Sequence, residues 1–255
     1  IKDTFQRESN DKTSLPVIYF FISALIVIGV RFFAVPYQIA KSKEYSPEVQ
    51  DLIAAHLQVA QFLADTLFVF LVLIASYFIL LLLSLFSQDR AVQGIAKELA
   101  LFIPFTSKIV LKFEKFILFS ILGEMLQSGI SYKNAITTAF EITVITKFKK
   151  ALSETLQEAK HEGKMLFHPS LYDSLEQELL IGIGSSSQMG KVFLEISNRA
   201  RIDALELTGK FLRMITFLSI LLMAFAVFVE FFTVVLTQVL IQKGLIDMTR
   251  GVGSF

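Results

Sequence analysis

An all-helical membrane protein, with three transmembrane helices and a cytoplasmic helical bundle, is the fold class this sequence predicts. Three observations carry it. Apolar runs of about twenty residues, enough to cross a bilayer, occur three times. Between the second and third lies the only long polar stretch, and its apolar residues recur at steps of three and four, the helical period. The composition agrees: 54% of the residues are hydrophobic, 26 are phenylalanine and only 18% are charged, which points away from an ordinary soluble domain.

In chain order, residues 1–14 are polar and mixed in charge, without the basic and then apolar layout of a secretory signal. The chain begins at Ile1 rather than Met, so residues upstream are expected. The first transmembrane helix is read over 15–36, closed by Pro36. A loop with a short helix (Pro47 to Gln61) fills 37–64, and the second span, 65–87, has only Ser and Tyr as polar handles after Thr66. The helical bundle is read over 88–210. Within it a helix from about Thr146 to Glu162 ends at Gly163, and Pro169 precedes another over Ser170 to Leu180. A GIGSSSQMG corner follows. From Lys191 the chain is expected to run as helix into the third span, 211–241, with Gly209 its one weak point and 242–255 as a tail.

Orientation follows from the basic residues flanking the spans. Lys2, Arg7 and Lys12 precede the first, Arg90 and Lys97 follow the second, and Arg199, Arg201, Lys210 and Arg213 precede the third; Lys41, Lys43, Lys243 and Arg250 lie opposite. The positive-inside rule then puts the N-terminus and the bundle in the cytoplasm, with the first loop and the C-terminal tail outside.

Several chemistries are excluded. A net charge of +1 with no Arg-rich stripe leaves no nucleic-acid footprint, and the absence of cysteine removes disulfides and thiolate metal sites. His56, His161 and His168 lack the i, i+4 histidine partner of a zinc helix. Glu158 and Glu162 share a helix face with His161 nearby, which a solvated charged face explains. GIGSSSQMG lacks the preceding strand and the Lys-Ser/Thr pair of a phosphate loop, and no GxSxG elbow is present. The expectation is a non-enzyme without cofactor or metal.

Three charges sit near the membrane edge. Arg31 lies about 24 Å along a helix from Leu15, Glu230 lies about 28 Å from Phe211, and Asp65 starts the second span. A charge deep in the bilayer costs about 2.5–3.5 kcal/mol on insertion scales, so Arg31 is expected to pair with Glu230 or Asp65, against the alternative that each snorkels separately to water.

The stretch from Pro104 to Phe140 carries the most information. Ile109, Phe113, Phe116, Ile117, Ile121 and Met125 form one stripe of a helix, with Lys108, Lys112 and Lys115 outside it. Ser128-Gly129 supplies a helix stop, and Ser131 is placed to cap a second helix carrying Ala135, Ile136 and Ala139. This predicts a tight helical hairpin. Pro104, Phe116, Leu122, Ser128, Gly129, Ile130, Ala135 and Ala139, with a weaker second set at Gly190, Val192, Leu194 and Ala200, resemble the cytoplasmic repeat of the type II secretion F family. Those are the inner-membrane platform proteins of type II secretion systems and type IV pili.

The resemblance covers the second half of the family architecture, so 1–14 reads as the remnant of a first cytoplasmic copy. Ser186 and Ser187 stand where the family shows a Gly-Glu pair, which marks a divergent branch. The resemblance implies a multi-pass protein of the bacterial inner membrane that couples a hexameric secretion ATPase to extraction of pilin or pseudopilin subunits. It further implies a homo-oligomer working with other inner-membrane assembly proteins. Lys108, Lys112 and Lys115, with the polar helix Lys147 to Lys164, are the residues expected to face the ATPase, against the alternative that both are simply solvated surface. An incoming pilin helix would offer an acidic group to Arg31. The competing class is an oligomeric transporter or channel subunit, disfavoured because the span centres carry no ionisable residue.

Overall fold

The computed structural model describes residues 2–87, 89–162, 171–180, 183 and 185–252, with side chains over 15–87, 89–157, 171–180, 183 and 185–246. The expectations at Gly163, Pro169 and His168, at the side chains of Glu158, His161, Glu162, Lys2, Arg7, Lys12, Lys164 and Arg250, and over the glycines of GIGSSSQMG before Ser185 lie outside them. Among the described residues the regular structure is entirely helical, and three helices are long and apolar enough to cross a membrane: Leu15–Ser42, Pro47–Phe86 and Ser186–Ile246. The chain divides into two compact units, Ile1–Asp11 with Phe78–Phe211, and Lys12–Tyr77 with Leu212–Phe255.

The second of these holds α1 (Lys2–Gly29) from Lys12 onward, which passes into a π-turn (Val30–Ala34) and then α2 (Val35–Ser42). Pro36 therefore does not close the first span. The Val35 N–H reaches back to the Val30 carbonyl, five residues away, and this widened turn accommodates a residue that can neither donate to the ladder nor fit tightly over its carbonyl. After a turn at Lys43–Tyr45, α3 is a single helix, Pro47–Phe86. The polar helix expected at Pro47 to Gln61 is thus the first part of the second span's own helix. Val27, Val30 and Val35 pack with Ala64, Leu67 and Leu71 of α3 and with Leu222, Ala226 and Val229 further along the chain. The exposed faces of these helices carry Phe21, Leu25, Phe70, Leu73, Phe225 and Phe228, the arrangement of a segment surrounded by lipid.

The unit containing Phe78–Phe211 is a helical bundle. It holds α4 (Arg90–Leu101), α5 (Pro104–Gln127), α6 (Tyr132–Ile142), α7 (Thr146–Glu162), the short α8 (Ser174–Leu180) and the first part of α9 (Ser186–Phe231). Asp89 caps α4, its Oδ1 accepting from Ala91 N at 2.8 Å. α5 is the central element. Ile109, Val110, Phe113, Phe119, Leu122 and Leu126 are all buried, and so are Glu114, Lys115 and Ser120, so the helix is enclosed on nearly every side. α6, with Ala135, Ile136 and Ala139 buried, packs against it, and the Phe193 ring of α9 lies 5.3 Å from that of Phe119; Leu152 of α7 and Ile196 of α9 are buried in the same unit. α9 runs without interruption through Gly209. The departure from α-geometry comes later, in a π-turn at Phe232–Leu236 that leads to α10 (Thr237–Val252).

Candidate functional site

The corner between α5 and α6 forms as the residue types require. Gly129 has φ +80°, the only positive φ among the described residues, and the Ile130 N–H turns back to the Met125 carbonyl at 3.0 Å. Ser128 Oγ donates to the Glu124 carbonyl at 2.8 Å. Ser131 occupies the cap position of α6, but its side chain makes no capping hydrogen bond. Pro104 sits in the first turn of α5, where its missing N–H is harmless. Phe116, Leu122, Ala135, Ala139 and Ala200 are all buried. At Gly190, α9 crosses α5 against Gly123, and Ser197 Oγ reaches the Phe116 carbonyl at 3.0 Å, fixing the register of the crossing.

Two buried ion pairs lie beside this crossing. Lys97 Nζ meets Glu114 Oε2 at 2.5 Å, and Glu114 Oε1 accepts from Val144 N at 3.1 Å. Lys115 pairs with Glu176, whose Oε2 also accepts from Asp173 N at 2.9 Å. The sequence treats Lys97 as a residue flanking a span and Lys115 as surface; both are buried, and each charge is matched by a carboxylate. Burial pushes the Tyr172 phenol well above its usual range, with Tyr132 and the Glu176 carboxylate adding to the effect, so the ring stays neutral at every working pH.

Of the lysines expected to face a partner, Lys112 is half-buried and bonded to Asp203 Oδ2 at 2.6 Å, and Lys115 is committed to Glu176. Lys108 is exposed and has no ion-pair partner among the described residues. Lys147, from the polar helix expected to face the same partner, is also exposed. Lys108, Lys112, Lys115 and Lys147 line one concavity of about 330 Å³, floored by Leu111, Phe148, Leu171 and Leu207. Lys112 and Lys115 are already matched by Asp203 and Glu176, and Asp173 also lines the concavity, so Lys108 and Lys147 are the ammonium groups it offers, above an apolar floor, to an acidic segment carrying an apolar side chain.

At the membrane edge Arg31 pairs with Asp65 and lies 5.4 Å from the Phe32 ring centroid. Glu230 is exposed, with no ion-pair partner among the described residues. The two expected alternatives thus resolve to Asp65. His56 Nε2 lies 2.9 Å from the Phe232 carbonyl, in the second π-turn. A carbonyl only accepts, so this nitrogen carries the proton. Arg31→Glu and Asp65→Arg are each expected to lower the fraction of protein extracted as a monodisperse species in mild detergent, and the double reversal to restore it. Size-exclusion profiles of the three variants check this, with no recovery in the double variant counting against the pair.

Among the described residues no group of three or more His, Asp or Glu side chains is placed to hold a metal ion. The clustered polar groups are committed to ion pairs and helix ends, an arrangement suited to holding shape and presenting a surface. No family model, curated protein or solved structure matches the chain.

Proposed function

We propose that the chain is a non-enzymatic platform protein of the bacterial inner membrane, serving assembly of a type IV pilus or a type II secretion pseudopilus. In this reading the helical unit faces the cytoplasm and couples a hexameric secretion ATPase to extraction of pilin or pseudopilin subunits from the bilayer. The observation that carries it is the α5–α6 corner with Gly129 in the left-handed conformation, in an all-helical unit lying in sequence between the second and third apolar helices. The residues behind the resemblance, Leu122, Ala135, Ala139 and Gly190 among them, are packing residues of that unit, which supports a shared architecture. Platform work needs no reacting group; it needs a stiff body and a path for displacement. The unbroken course of α9 from Ser186 to Phe231 supports such a path. The lysine-rimmed concavity is the surface offered to the ATPase.

Affinity purification of the tagged full-length chain in mild detergent, with mass spectrometry of what accompanies it, tests the reading. Recovery of a secretion-type ATPase and pilin-like subunits, with other inner-membrane assembly proteins, is the expected result. Recovery of a solute-binding protein in their place would favour the transporter class and overturn it.

A further inference from the structure

α4 is amphipathic in an unusual sense: its buried face is partly polar and its exposed face is apolar. Gln93, Ala96, Lys97 and Ala100 point inward, while Val92, Ile95, Leu99 and Phe102 follow one another at steps of three and four and are 40%, 65%, 51% and 84% exposed. The inward polar groups are satisfied, Lys97 by Glu114 and Gln93 by the Ser84 carbonyl at 3.4 Å. Among the described residues nothing covers the outward stripe. Elsewhere between Ser87 and Phe211, large exposed hydrophobics among the described residues occur singly, at Ile130, Leu175 and Ile202. Single residues of this kind are ordinary on any surface; a continuous stripe along a whole helix needs an occupant.

Two observations identify that occupant as lipid. The uncharged part of α3, Thr66 to Phe86, is about 31 Å long, the thickness of a bilayer's hydrocarbon core, so its end at Phe86 marks one membrane edge. Arg90, the first residue of α4, is four residues further, a reach of at most about 14 Å. The hydrogen bond from Gln93 to Ser84 then holds the start of α4 beside the last turn of α3, level with that edge. A helix held there with its apolar side outward meets the boundary between headgroups and acyl chains. Such helices sink their apolar face about 5–10 Å into this layer.

We infer that α4 is an interfacial helix whose Val92, Ile95, Leu99 and Phe102 are embedded in the phospholipid surface. The inference rests on α3 crossing a bilayer and is independent of the platform reading. Its effect is to fix the bundle to the membrane plane at a second place. α4 carries Lys97, the partner of Glu114 on α5, so a load on the bundle is met by the bilayer through α4 as well as through the spans.

The chain has no cysteine, so single cysteines can be introduced without interference. Ile95→Cys and Leu99→Cys, both at exposed positions, are labelled with an environment-sensitive fluorophore in the full-length chain. The protein is reconstituted in vesicles of phosphatidylcholine and phosphatidylglycerol. Lys147→Cys serves as the aqueous reference and Leu73→Cys, exposed in the apolar part of α3, as the lipid reference. Nitroxide carried high on the acyl chain is expected to quench the Ile95 and Leu99 labels about threefold more than the Lys147 label, with weak quenching by aqueous acrylamide, as for an interfacial helix. Quenching by acrylamide equal to that at Lys147 would overturn the inference by placing the stripe in water. Protection from both quenchers would overturn it as well, because a protein surface, a second copy or a partner, would then be the cover.

Discussion

Glu114→Ala is expected to destabilise the protein by about 3–5 kcal/mol, the usual cost of removing one partner from a buried ion pair. The side chains of Lys97 and Glu114 are only 2% and 4% exposed, so the loss of either leaves the other charge largely desolvated. The substitution has a second consequence, because Glu114 Oε1 is the acceptor for Val144 N at the entrance to α7, and that backbone donor loses its partner too. Glu114→Gln separates the two effects: the amide oxygen can still accept from Val144, while its NH2 group, a donor, is turned to the Lys97 ammonium in place of the carboxylate oxygen. It should fall between the parent and Glu114→Ala. The double change Lys97→Met with Glu114→Leu removes both charges and fills similar volume, and should recover most of the loss, since apolar replacements of buried pairs are often neutral or better. Thermal unfolding of the three variants and the parent in one detergent gives the ordering. A domain of this size shifts by about 2–4 °C per kcal/mol, which places Glu114→Ala roughly 6–20 °C below the parent. A Glu114→Ala midpoint equal to the parent's would mean that Lys97 reaches solvent.

The same pair shows why part of this protein could be read from its sequence and part could not. Long apolar runs have one physical explanation, and they locate the three candidate spans; Gly129 after Ser128 has one good use, and the structure gives it that use. The helix from Thr146 to Glu162 has the bounds its sequence predicts. Lysine is different. On a helix such as α5 a lysine next to the apolar stripe reads as solvated, and only the position of a carboxylate distant in sequence decides otherwise: Glu176 is sixty-one residues from Lys115. Pro36 misleads for a related reason, since a proline ends an α-helix but is tolerated where a π-turn precedes it, and no local signal announces that turn. Asp65 and the polar residues before it suggest a loop, yet α3 passes through them, and Asp65 pairs with Arg31 of the neighbouring helix. The apolar face of α4 goes unread because its hydrophobic residues, by pattern, belong in a core.

Gly123→Ala provides the sharpest test of how α5 and α9 meet. A mid-helix glycine normally weakens a helix, and alanine in its place should add about 1 kcal/mol of stability from propensity alone. Here the opposite is expected. A Cβ at Gly123 would stand 2.9 Å from the Gly190 carbonyl oxygen and 2.7 Å from Leu194 Cγ. The leucine can shift, but the carbonyl is backbone within a helix and moves only if the two helices part. Overpacking of this kind costs about 1–3 kcal/mol, which outweighs the propensity gain. Gly190→Ala meets the same limit from the other side, with Gln127 Cγ and the Gly123 carbonyl both at 3.0 Å, and should be destabilising for the same reason. Because both substitutions force one separation, the double variant should lose less than the sum of the two. Gly209, further along α9, is the control: nothing lies within 4 Å of a Cβ there, so Gly209→Ala should be stabilising by about 0.5–1 kcal/mol. Unfolding midpoints of the four variants decide the matter. If Gly123→Ala rose together with Gly209→Ala, the two backbones could not be in contact, and the residue that most distinguishes this crossing from an ordinary helix pair would be a glycine by accident.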